Sequence, residues 1–139
     1  MAAFFPFEVY TPYRLFFSGK VEAIILTLID GEAAVYAHHA PFTAPVTSCL
    51  LKIKTTEGKW KTAFTADGIL EVTSRKTILL SDSAEWPEEI NYERANKAKE
   101  KAEEILAKGM FKFETDNAAS SLRRAGMRIK AIQTTKNRK

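Results

Sequence analysis

The stretch "DGEAAVYAHHAPF", residues 30–42, gathers both histidines of the chain, His38 and His39, with Glu32 upstream and Pro41 downstream. Imidazoles beside a carboxylate are the raw material of a metal site or a proton relay. Neither chemistry is completed here. Adjacent residues in an extended segment point to opposite sides, so the two rings do not share one ion. The chain has no other histidine and one cysteine, Cys49, too few thiolates and imidazoles for a four-ligand zinc set. A catalytic histidine needs a nucleophile and an orienting group, and no Ser, Cys or Asp motif accompanies the pair. Phosphate loops of the GxGxxG and GxxxxGK types do not occur. No catalytic and no metal-binding residues are expected, and the histidines read as part of a loop.

The segments around that loop are strand-like. Up to about residue 83 the pattern has period two or short apolar runs, with turn signals roughly every ten residues, the spacing of a sandwich or barrel. "FPFEVYT" is a first strand, and "RLFFSGKVEAIILTLI" the next two, with a break at Ser18-Gly19. Asp30-Gly31 supplies the positive-φ pair of a tight turn, and "EAAVYA" runs back from it. "LLKIKTT" alternates, with Leu51, Ile53 and Thr55 on one face and Lys52 and Lys54 on the other. "WKTAFTA", "ILEVTS" and "KTILLSD" complete eight to ten short strands, which two packed sheets accommodate most economically.

After Trp86-Pro87 the period becomes helical. "NYERANKAKEKAEEILAKG" has Asn91 as N-cap, Gly109 as stop and a narrow seam of Ala95, Ala98, Ala102 and Ile105. A second helix is expected from about Asn117, capped by Asp116 or Thr115. Its seam of Ala118, Leu122, Ala125, Ile129 and Ile132 has heptad spacing. Seams this narrow bury little area, so a hairpin of these helices is held weakly on its own. The predicted organisation is a sandwich over residues 1–87 and a helical hairpin over 88–139.

Charge follows the same division. The chain's net +4 comprises 8 basic and 11 acidic residues up to position 89, then 13 basic and 6 acidic ones. From Ala118 onward seven basic residues stand without an acidic one, a segment suited to an acidic partner. The slightly acidic β region, by contrast, is not a groove for single-stranded nucleic acid. The apolar run Val21–Ile29 contains Glu22 and is too short to span a bilayer. The N-terminus has no export-signal pattern, and a lone cysteine fits a reducing compartment. An interaction module, not an enzyme, is the class these features support.

Taken in order, "TPYRLFFSGKVEAIILTLIDGEAAVYAHHAPFTAPV", "ADGILEV" and "ILLSDSAEWPEEINYERANKAKEKAEEILA" resemble the epsilon subunit of bacterial F-type ATP synthases, called delta in mitochondria. The resemblance covers nearly the whole chain. It implies an α+β fold: an N-terminal ten-stranded β-sandwich followed by a C-terminal antiparallel two-helix hairpin. It further implies a non-catalytic rotor subunit that joins the gamma subunit in the central stalk and rests on the membrane ring of c subunits. The C-terminal helices would restrain ATP hydrolysis by the alpha and beta catalytic subunits. The location implied is the cytoplasmic face of the bacterial plasma membrane, with membrane contact only through the complex. Thr11, Glu32 and His39 match positions that face the c ring, Glu32 and His39 across one end of the sandwich. Arg123, Arg124, Arg128 and Lys130 match the regulatory basic helix. At the family's ATP-sensing motif this chain reads "INYERA": Arg94 and Ala95 remain, but Asn91 replaces an aspartate, and Ile105 and Asn117 occupy basic positions. No cofactor, ATP included, is therefore expected. His38 stands where the family has a glycine, and "ADG" replaces "SGG", so a different loop backbone is expected at residue 38. The alternative is a free-standing β-sandwich module for protein or nucleic acid.

Overall fold

In the computed structural model residues 3–109 and 111–137 are described, and the chain divides into two compact units, Met1–Trp86 and Pro87–Lys139. Arg138 and Lys139, which end the basic segment, lie outside the described residues.

The first unit contains β1 (Phe5–Tyr10), β2 (Leu15–Leu28), β3 (Gly31–Tyr36), β4 (Phe42–Val46), β5 (Cys49–Thr55), β6 (Trp60–Thr65), β7 (Gly68–Val72), β8 (Thr77–Ser81) and β9 (Ala84–Glu85). They are hydrogen-bonded in the order β1-β8-β7-β4-β2-β5-β6-β9, with β3 on β2 and a further β1–β2 pairing. β2 is the pivot. Its first half pairs with β1, and its second half with β3 and β5. Because β1 also pairs with β8, the sheet folds back on itself and encloses a core.

The described strands number nine, and the expected break at Ser18-Gly19 is absent. Ser18 and Gly19 pair with Glu8 and Phe7 inside a continuous 14-residue strand. Gly19 has no positive φ, so nothing turns the chain there. The irregularities of β2 lie elsewhere: the β1–β2 register shifts between Val9 and Tyr10, and the β2–β5 register between Val21 and Ala23. Two expected strands are thus one.

Alternation places Phe7, Val9, Val21, Ile24, Leu26, Leu51, Ile53, Leu70 and Leu79 in the core, each at most 1% exposed. Cys49 is buried among them at the start of β5. The turn expected at Asp30-Gly31 falls one residue earlier: Ile29 and Asp30 form the two-residue loop, Asp30 has no positive φ, and Gly31, at φ 136°, already pairs with Leu28 as the first residue of β3. Gly68 serves a different purpose: a Cβ there would sit 1.9 Å from the Leu80 carbonyl oxygen, so only glycine lets β7 and β8 pair.

In the second unit a 3-10 turn, Pro87–Glu89, precedes α1 (Tyr92–Lys108) and α2 (Lys112–Asn137), which pack on each other as a hairpin. Asn91 caps α1, its side-chain oxygen accepting from the Arg94 amide at 3.1 Å. Gly109, at φ 54°, ends it and donates to Ile105 O at 3.1 Å. α2 begins at Lys112, five residues before its expected start. Gly109 completes the reversal in little chain, and the Thr115 hydroxyl is satisfied within the helix by donating to Lys112 O at 2.9 Å. Thr115 and Asp116 are therefore helical residues, not caps. With 26 residues against 17, α2 overruns α1 by nine residues, about 14 Å at 1.5 Å per residue.

Candidate interaction surfaces

A folded-over sheet should show its polar face to water. On β1, β8, β7 and β4 it does not. The register sets Tyr10 beside Leu80, Leu80 beside Ile69 and Ile69 beside Pro45, and the Ile29 amide donates to Pro45 O at 3.4 Å. Side chains on this row point away from the core. Leu80 and Ile69 are half exposed, and Ile29 is 70% exposed. With strands about 4.8 Å apart the row spans roughly 19 Å, a contiguous apolar stripe rather than scattered residues. Polar groups border it: Glu8, Glu71 and Thr43 lie one pleat away in the same registers. Sequence reasoning did not single out this row. Its signal is present in "ILLS" and "ILEV", where isoleucine and leucine occupy positions that alternation reserves for polar residues.

The residues matched to the ring-facing end are distributed over two rims. Thr11 opens the turn after β1, its hydroxyl accepting from the amides of Tyr13 and Arg14 at 3.2 Å each. Glu32 follows the β2–β3 turn and pairs with Thr27. The registers Tyr10–Leu80, Leu80–Ile69 and Ile69–Pro45 bring Thr11 and Glu32 to the same rim, several strands apart. His39 is beyond the other end of β3. Its ring packs on Phe42 at 4.9 Å between centroids, and Phe42 pairs with Val72 four residues along β4 from the rim of Glu32. Since β3 is extended, about 13 Å of strand separates the two, and they do not share one end of the sandwich.

His38 explains why a glycine is expected at its position. It is the single non-glycine residue with positive φ among those described, at 65°, so the chain turns at residues 37–38 and the expected extended segment, with its two rings on opposite sides, does not form. A side chain in that region costs roughly 1–2 kcal/mol. His39 keeps ordinary backbone geometry and places Nδ1 2.7 Å from the Ala40 carbonyl, to which it donates. Among the described residues no group of three or more His, Cys, Asp or Glu is arranged to hold a metal ion.

Two electrostatic features belong to the sandwich. Glu8 Oε1 lies 2.8 Å from Lys76 Nζ. That bond holds the Glu8 carboxyl below its ordinary range and raises the Lys76 ammonium. Burial pushes the Cys49 thiol up, although the Thr27 amide donates to its sulfur at 3.5 Å. Cys49 is thus a neutral core residue.

On α2 the four basic residues divide between two ridges. Arg123 and Lys130, seven apart, are exposed, whereas Arg124 and Arg128, four apart, are half-buried. Arg124 also donates to Ser121 Oγ at 3.2 Å. Ala95 and Ala102 of α1 are buried, as are Ala118, Ala125 and Ile129 of α2. Ala98 departs from its expected seam and is exposed; Ile132 is half-buried, and Ala131 beside it is fully buried. Between the helices lies a cavity of about 600 Å³, lined among others by Lys101, Ile105, Lys108, Glu114 and Asn117. Arg94 and Ala95 are not among its lining residues. Arg94 is exposed on the first turn, and its amide is occupied by Asn91.

The model of the ATP synthase delta/epsilon chain β-sandwich domain matches residues 4–87, and that of the delta/epsilon chain long α-helix domain matches residues 88–133. The chain belongs to the ATP synthase delta/epsilon family. It is 43% identical over 133 residues to the ATP synthase epsilon chain of Caldicellulosiruptor saccharolyticus, covering 96% of each protein. It is 45% identical over 127 residues to that of Caldanaerobacter subterraneus subsp. tengcongensis, covering 91% of each. A chain of the Euglena gracilis mitochondrial ATP synthase, in a structure comprising OSCP, F1 and c-ring, shares the fold with a TM-score of 0.79 at 18% identity, over 96% of this chain and 81% of that one. Membership makes the protein a subunit of an F-type ATP synthase, with sandwich and helices in the family's order. No helix among the described residues is long and apolar enough to cross a membrane.

Proposed function

We propose that this family member is a non-catalytic central-stalk subunit, whose sandwich binds the gamma subunit and c ring and whose hairpin restrains ATP hydrolysis. The observation that carries the docking role is the uncovered apolar row Tyr10–Leu80–Ile69–Pro45–Ile29, on a sandwich whose core is already closed without it. A face of that length excludes water only when a partner covers it. Thr11 and Glu32, at the rim beside that row, are contacts to the ring; His39, at the opposite rim, reaches it only if the ring-facing surface extends along β3. The basic ridge of Arg123 and Lys130 is open to acidic segments of the alpha and beta subunits, and that contact should weaken with salt. The hairpin acts without ATP in this reading, because Ile105 and Asn117 stand where the resemblance implies basic groups that hold phosphates. The complex would hold the protein at the cytoplasmic face of the bacterial plasma membrane.

Co-purification with a gamma subunit tests this reading. The parent chain is expected to form a stable complex, and Leu80→Asp with Ile69→Asp, both on the exposed row, should abolish it without unfolding the sandwich. Failure of the parent chain to bind gamma, together with salt-sensitive binding to single-stranded nucleic acid, would favour a free-standing module.

A further inference from the structure

The strained His38 borders a small cavity of about 140 Å³ at the rim opposite Glu32. His38 and His39 line it from the β3–β4 loop, Ser74, Arg75 and Lys76 from the β7–β8 turn, and Phe4 adds aromatic surface from the segment before β1. Every charged group in that lining is cationic. The nearby carboxylate, Glu8 on β1, is engaged by Lys76 at 2.8 Å, which leaves Arg75 as the open charge. The Arg75 and Lys76 amides are also taken, both by Thr73 Oγ1, at 3.3 and 3.2 Å. A ligand here is therefore held by side chains rather than by a backbone nest. His39 donates through Nδ1 to Ala40 O, so Nε2 is the ring nitrogen left for a ligand, and it donates when the ring is protonated.

Backbone strain at a non-glycine residue persists only where the surrounding structure over-determines it, and such residues cluster at ligand sites. His38 in this conformation and Arg75 both line the pocket, and both are exposed to an incoming ligand. We propose that this pocket binds a phosphate group, with Arg75 as principal cation and His38 and His39 as flanking donors. Arg75 comes from the β7–β8 turn and His38 and His39 from the β3–β4 loop, so donors from two separate segments line one pocket, and a guanidinium fork matches the oxygens of a phosphate. The phosphate is either free or carried on a lipid, and both sources present the same oxygens. The proposal does not depend on the rotor reading, because every residue it uses belongs to the sandwich.

The chain holds two histidines, so the imidazole resonances of the full-length protein report on this pocket alone. Titrated with inorganic phosphate at constant ionic strength, both rings are expected to shift saturably, and Arg75→Gln should weaken binding about tenfold. Phosphatidylglycerol vesicles identify a lipid source if they broaden both rings while phosphatidylcholine vesicles do not; phosphate shifts without such broadening identify free phosphate. His38→Gly keeps the fold, since glycine adopts this conformation freely, and is expected to raise stability while weakening phosphate binding. No response to either probe, a response unchanged in Arg75→Gln, or full affinity in His38→Gly would overturn the proposal.

Discussion

The sandwich and the hairpin hold their elements together with different amounts of side chain. The sandwich buries whole phenylalanines, leucines and isoleucines from strands far apart in sequence, with Phe7 tilted on Phe17 and Phe16 stacked on Trp86 at 4.6 Å. In the hairpin, five of the buried side chains are alanines: Ala95, Ala102, Ala118, Ala125 and Ala131. Burying a large apolar side chain contributes about 1.5–3 kcal/mol, and a methyl group less than 1. The sandwich is therefore over-determined, and the hairpin is a pair of helices joined by small side chains, with little to lose by separating. A rotor subunit that regulates needs both properties: one part that keeps its shape under load and another with alternative arrangements of similar free energy.

Perturbing each region should expose that difference. Phe7→Ala, in the sandwich, is expected to cost about 3–5 kcal/mol and to lower the main unfolding transition in calorimetry. Gly68→Ala drives a methyl into the Leu80 carbonyl and should cost up to about 3 kcal/mol, read as loss of β7–β8 amide protection. Gly126→Ala probes the hairpin with opposite sign. A Cβ at Gly126 meets nothing within 4 Å, so alanine is expected to stabilise α2 by about 1 kcal/mol and to slow exchange of its amides. A glycine with no packing reason in the middle of α2 is a soft point that the sandwich does not share.

The smallest effect is electrostatic. Glu8 titrates below its ordinary 4.5 in the folded state, so its ion pair with Lys76 contributes stability above that value and loses it as pH falls through the lowered folded-state value. Lys76 works in the other sense: its contribution is full below its ordinary 10.5 and is lost as pH rises through the raised value. Chemical denaturation of Glu8→Gln against pH should show both edges flattened. Equal acid sensitivity in the variant and the parent chain would remove this pair from the account.

Local signals made much of this legible in the sequence. Alternation in "LLKIKTT", the Asn91 cap and the Gly109 stop appear in the structure where short-range physics puts them, and the turn before "EAAVYA" is displaced by one residue. The differences arise where a decision depends on distant partners. Ser18-Gly19 reads as a break, but β1 pairs straight across it. Thr115 reads as a cap, but a hydroxyl can also bond back inside a helix. The loop residues Thr11, Glu32 and His39 were grouped by resemblance, and the β3 register, which no local pattern specifies, separates His39 from the other two. The unexpected histidine before "HAP" has its physical counterpart in the αL backbone of His38. The exposed row escaped notice because it forms across four strands, although each strand carries one apolar residue too many.

The division of labour between the two units is tested most directly by ATP hydrolysis in the reconstituted complex, with the full chain and with residues 110–139 deleted. The shortened chain is expected to assemble still through its sandwich, with hydrolysis raised. Hydrolysis unchanged in a fully assembled complex would contradict the regulatory role of the hairpin, and loss of assembly would contradict the docking role of the sandwich.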